Sequence, residues 1–71
     1  MKIGNRNYTV HKVFTRQNVD GQTETWTALK GSRGAEVLLI EIDFDWGTGA
    51  RLIHFGRKNS AETINPLTIQ R

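Results

Sequence analysis

Residues 40–55 read Ile40-Glu41-Ile42-Asp43-Phe44-Asp45-Trp46-Gly47-Thr48-Gly49-Ala50-Arg51-Leu52-Ile53-His54-Phe55. Apolar side chains stand at 40, 42, 44 and 46, with carboxylates between them at 41, 43 and 45. Successive strand residues point to opposite faces, so this alternation reads as a β-strand with one apolar and one acidic face. Gly47–Gly49 then reads as a turn that returns the chain through Arg51–Phe55. A three-residue loop would set Ile42 against His54. Either even loop length instead puts Ile53 and Phe55 on the face of Ile40, Ile42, Phe44 and Trp46. The even loop is preferred, because a slip of one residue moves every side chain to the wrong face. His54 and Leu52 then share a face with Glu41, Asp43 and Asp45, and the apolar face with Trp46 at its tip is expected to form half of the core.

The same pattern runs outward from this hairpin. Val, Ile, Thr, Tyr, Phe and Trp lie in short runs between Gly, Asn and Asp clusters, and helix signals are nearly absent. Strands are expected over Asn7–Gln17, Thr23–Lys30, Glu36–Trp46 and Ala50–Gly56, with a short fifth near Leu67–Ile69. Asn18-Val19-Asp20-Gly21 fits a type I turn closed by a left-handed glycine. That register sets Arg16 opposite Glu24, Phe14 opposite Trp26 and Lys12 opposite Ala28, an ion pair and an aromatic pair appearing together. After Gly56 the segment Arg57–Thr63 is polar, and Ser60 is a candidate cap for one helical turn. Pro66 confines any strand near it to an edge or to a start at the proline. The expected fold is all-β, a four- to five-stranded antiparallel meander curled into a small barrel or half-barrel.

At 71 residues the chain is read as one small β domain, residues 1–71. A domain of this size buries only about 60% of the surface of its unfolded chain. The sequence has no cysteine, which excludes disulfides and thiolate metal sites and leaves packing, hydrogen bonds and association to hold the fold. Met1–Asn7 is polar, and the longest apolar run, Val37–Ile40, is far too short to span a membrane. A soluble, cytoplasmic protein without a membrane partner is expected. The net charge is +3, yet Glu36–Asp45 holds four acids and no base. The chain is therefore dipolar rather than uniformly basic.

Four groups of residues are candidates for chemistry. Glu41, Asp43, Asp45 and His54 share a face, and carboxylates about 7 Å apart on alternate strand positions could flank a cation or handle protons. No second histidine or recognisable nucleophile joins them, so a solvated face with His54 paired to Asp43 or Glu41 is preferred, and no metal, cofactor or catalytic residue is assigned. Lys30-Gly31-Ser32-Arg33-Gly34 brackets a hydroxyl and an arginine between glycines, suiting an anion or an acidic partner, but it lacks the spacing of a nucleotide-binding loop, and an ordinary polar turn with Arg33 solvated is the preferred reading. The even-numbered face of the first hairpin interleaves Tyr8, Phe14 and Trp26 with Lys12, Arg16 and Lys30, as on platforms where bases stack and cations meet phosphates. Phe14 is assigned to the core; Tyr8 and Trp26 are left open between core and surface. Trp46 at a hairpin tip is either an interface anchor or a lid on the core.

Together these features point to a small non-enzymatic binding module. It would act through contacts with another protein or with itself, as an accessory or inhibitory factor, using Trp46, Lys30, Arg33, Glu41, Asp43, Asp45 and His54. The alternative is a nucleic-acid-binding β-barrel using Tyr8, Lys12, Arg16, Trp26, Lys30 and Arg33.

Overall fold

The structure, a computed structural model, describes residues 1–56 and 59–71. Arg57 and Lys58 of the polar segment lie outside the described residues. The described residues form eight strands: β1 (Lys2–Ile3), β2 (Arg6–Asn7), β3 (Thr9–Gln17), β4 (Thr23–Lys30), β5 (Glu36–Phe44), β6 (Gly47–His54), β7 (Ser60–Ile64) and β8 (Ile69–Gln70). Strands β3 to β7 make a five-stranded antiparallel meander in chain order, and β2-β1-β8 make a second, three-stranded sheet. The all-β meander is as expected; the large sheet stays open at β3 and β7 rather than closing into a barrel.

The first hairpin forms in the expected register, with Arg16 opposite Glu24 and Phe14 opposite Trp26. Its turn chemistry explains why. The Asn18 side-chain carbonyl accepts from the Asp20 and Gln22 amides, both at 3.0 Å, and Gly21 takes φ +78°. One irregularity was not foreseen. The register shifts between Val10 and Lys12, so His11 is a bulge residue. A bulge reverses the alternation beyond it, which turns Tyr8 away from Phe14 and Trp26 and onto the opposite side of the sheet. Tyr8 is buried there, its ring close enough to Gly31 that a Cβ at that position would stand 3.3 Å from Tyr8 Cε1.

The second hairpin has the even loop, with a different centre. Phe44 pairs with Gly47, so the two-residue turn is Asp45-Trp46, and Gly47 is the first residue of β6. Gly47 has φ +143°, a conformation few other residues adopt. β5 accordingly ends at Phe44 rather than Trp46, and β6 begins three residues before the expected Ala50. Ser60 caps no helix; it opens β7, where Ser60, Glu62 and Ile64 pair with His54, Leu52 and Ala50. The expected strand near Leu67–Ile69 is divided. Asn65 accepts from the Leu67 amide at 3.0 Å and Pro66–Thr68 form a 3-10 turn, leaving Ile69 and Gln70 as β8.

The largest correction concerns which face of the large sheet is core. The buried apolar residues are Ile3, Tyr8, Leu29, Val37, Leu39, Ala50 and Leu52. Five of these lie on the side carrying Glu41, so the face read as acidic is the inner face, covered by the small sheet through Ile3, Tyr8 and Ile69. Leu39 is fully buried; Ile40, Ile42 and Phe44 are only half-buried, and Phe14 and Trp46 are exposed. The Val37–Ile40 run is apolar on both faces, so local alternation over 40–46 could not decide the side. The small sheet did, because its apolar residues reach the Leu39–Leu52 pair.

Candidate interaction face

The registers place side chains on the outer face in rows. Phe14, Trp26, Ile40, Arg51 and Thr63 form one row; Lys12, Ala28, Leu38, Ile53 and Ala61 form the next; Arg16, Glu24, Ile42 and Gly49 a third. Phe44 and Trp46 extend the apolar surface at the second turn with rings stacked at 4.8 Å and 6°. Gly49 leaves room for this: a Cβ there would come within 2.9 Å of Phe44 Cε2. At the other end Phe55 is 46% exposed and borders a cleft with Ala28, Lys30, Glu36 and Leu38. The small sheet and the Pro66–Thr68 turn both pack on the inner side. Among the described residues, then, the outer face has an aliphatic centre, aromatic ends and no covering element.

Charge on this face is uneven. Lys12, Arg16, Lys30 and Arg51 stand on it with Glu24 and Glu36. Glu24 is already engaged, accepting from Trp26 Nε1 at 2.9 Å and lying 3.5 Å from Arg16 Nε. Lys12 and Arg16 also lie over the rings of Phe14 and Trp26, 5.9 and 5.7 Å from the centroids. The two rings pack at 5.6 Å with a 32° tilt. The aromatic–cation constellation read from the first hairpin is thus assembled, without Tyr8, and its cations cover part of the ring faces a stacking base would use.

The carboxylate–histidine row is not one site. Glu41 is buried and ion-paired with Arg71; Asp43 is exposed and accepts from Thr48 Oγ1 at 3.2 Å; Asp45 is in the turn. His54 lies near the opposite end of β6, opposite Val37, and its Nε2 is 3.3 Å from Glu62 Oε2 across the β6–β7 ladder. It pairs with neither Asp43 nor Glu41, because those residues sit several positions along the ladder. His54 lines a cleft of about 400 Å³ with Arg6, Tyr8 and Ser32. Among the described residues, no three His, Asp or Glu side chains converge to hold a metal ion.

The glycine loop is a single 3-10 turn over Ser32–Gly34, with Arg33 at φ +63° and Gly34 at φ +75°. Its Gly31 amide donates to Ala35 at 2.8 Å, so that donor is spent within the loop. Arg33 projects from the end of the sheet, exposed and apart from Arg16 and Trp26. Sequence reasoning missed Glu62 as the partner of His54, Arg71 as the partner of Glu41, and Leu38, Ile53 and Phe55 as surface. The signal for the last three was the doubly apolar Val37–Ile40 run, which supplies more apolar side chains than one small core absorbs. Comparisons with family models, with curated proteins and with solved structures give no match for this chain.

Proposed function

We propose that the chain is a non-enzymatic protein-binding module whose outer sheet face docks a partner protein with an apolar centre and an acidic rim. One observation carries the reading: among the described residues, a face centred on Leu38, Ile40, Ile42 and Ile53 is flanked by four cations against two carboxylates. An uncovered apolar face of this kind is typical of an interaction surface. The charge imbalance selects the partner. A second copy stacked face to face would bring one cationic rim against another, whereas an acidic rim is attracted and oriented. Trp26, Phe44 and Trp46 are the residue types that anchor interfaces. The absence of cysteine suits a reducing compartment, and the cytoplasm is the proposed setting. No helix among the described residues is long and apolar enough to cross a membrane.

Nucleic acid is the weaker reading. The Phe14–Trp26 pair with Lys12 and Arg16 favours it, but the aliphatic centre offers bases no stacking partner. Affinity capture with nuclease treatment separates the two. The wild-type chain is expected to retain a protein after nuclease digestion, and Ile40→Lys is expected to lose it, while Thr68→Lys, on the exposed 3-10 turn, retains it. Loss on nuclease treatment, or equal capture by Ile40→Lys, would overturn the protein reading.

A further inference from the structure

The outer face borders a second unusual feature, strand β3. All nine of its residues are exposed, and among the described residues it is the edge of the sheet, paired with β4 alone. The hairpin closes with the Asn18 amide donating to Gln22 at 3.0 Å. Hydrogen-bonded and non-hydrogen-bonded pairs alternate along an antiparallel ladder. Lys12, Phe14 and Arg16 therefore direct their backbone groups to β4, and Val13, Thr15 and Gln17 direct theirs outward, over a run with no proline or glycine. Exposed edges of this length are usually blunted against pairing. Here the guard is selective. β3 carries His11, Lys12 and Arg16 and no acid, which repels a second β3 and attracts an acidic strand.

Resting on the protein-binding reading, we propose that β3 accepts an extended acidic segment of the partner as a sixth strand. Its main chain pairs with the outward groups of Val13, Thr15 and Gln17, as in recognition by strand addition. Cross-strand neighbours define its side chains. Carboxylates stand beside Lys12 and Arg16, an apolar residue lies between them beside Phe14, and a β-branched residue covers Val13, which is 56% exposed. The segment thus has the pattern acid-x-apolar-x-acid. Arg16 is shared with Glu24 and is still half-exposed, so it can meet a second carboxylate. The added strand widens the outer face past Phe14, so one partner can pair with the edge and cover the aliphatic centre.

The test uses a fluorescent ten-residue peptide, Ser-Glu-Val-Phe-Val-Glu-Thr-Val-Glu-Ser, with the full chain. Saturable binding is expected, with NMR shifts and slowed amide exchange at Val13, Thr15 and Gln17. N-methylation of alternate peptide residues is expected to weaken binding by about tenfold or more in one frame and little in the other, because only one set of amides faces β3. Lys12→Glu with Arg16→Glu is expected to cost a similar factor and to favour a Lys-for-Glu peptide. Thr68→Lys, on the exposed 3-10 turn, is expected to leave peptide affinity within about twofold, since surface changes away from the pairing edge are near-neutral. Equal effects of N-methylation in both frames, unmoved β3 amides, or tighter binding of an oligothymidylate of equal charge would overturn strand addition. If the peptide fails while Ile40→Lys still abolishes partner capture, the edge is excluded and the outer face stands.

Discussion

Leu39→Ala is expected to remove about 2–5 kcal/mol of stability, the usual cost of truncating a fully buried leucine. Leu39 has no exposed surface and lies opposite Leu52, at the point where the small sheet meets the large one. The loss is severe on this scale. At roughly 0.05–0.15 kcal/mol per residue, a chain of 71 residues has about 4–11 kcal/mol in all. Among the described residues only seven apolar ones are buried, so the neighbours have little freedom to close over the cavity. Each kcal/mol lowers the midpoint of a small domain by about 4–8 °C, so a thermal melt followed by circular dichroism reads the effect directly. Leu38→Ala is the matched comparison, one residue away and on the half-exposed outer face. It is expected to cost less, about 1–2 kcal/mol, because part of its side chain already meets water. Equal losses for the two variants would mean that the outer face is covered in the isolated protein, and would replace the partner protein with a second copy.

The contrast between Leu38 and Leu39 also marks how far the sequence could be read. Local chemistry was fully legible where one turn dictated it: Asn18, Asp20 and Gly21 specify the first hairpin, and Arg16–Glu24 with Phe14–Trp26 confirm its register. The parity of the second hairpin was legible too, since Ile53 and Phe55 belong with Ile40 and Ile42 on hydrophobic grounds alone. Its exact turn was not, because Gly47 and Gly49 serve as strand residues beside Phe44 and Trp46 rather than as turn residues. The side of the sheet that becomes core depends on contacts distant in sequence. Ile3 and Tyr8 choose it from one end of the chain and Ile69 from the other. Tyr8 reaches that side only through the bulge at His11, for which a polar strand carries no local signal. The candidate site followed the same division. The Lys12–Phe14–Trp26–Arg16 cluster was visible within one hairpin, whereas the aliphatic centre emerged only once the inner face had been assigned.

Glu41 carries that misassignment to a measurable end. On a solvated acidic strand its removal would be nearly neutral. In the folded chain it is 8% exposed and paired with Arg71, and its Oε1 has no hydrogen-bond partner among the described residues. Thirty residues separate the pair in sequence, so the contact fastens β8, and with it the small sheet, beneath β5. Arg71→Ala leaves a buried carboxylate without a counter-ion and is expected to cost about 1–3 kcal/mol. The figure sits below the 3–5 kcal/mol typical of a fully buried pair, because the Arg71 side chain is 60% exposed and part of the attraction is screened. Glu41→Met in the Arg71→Ala background removes the stranded charge and keeps the volume, and is expected to recover most of that loss. Urea denaturation of the wild-type, single and double variants closes the cycle. A double variant as unstable as Arg71→Ala alone would show that the arginine acts by packing its stem against the sheet, and that Glu41 faces water as its neighbours Asp43 and Asp45 do.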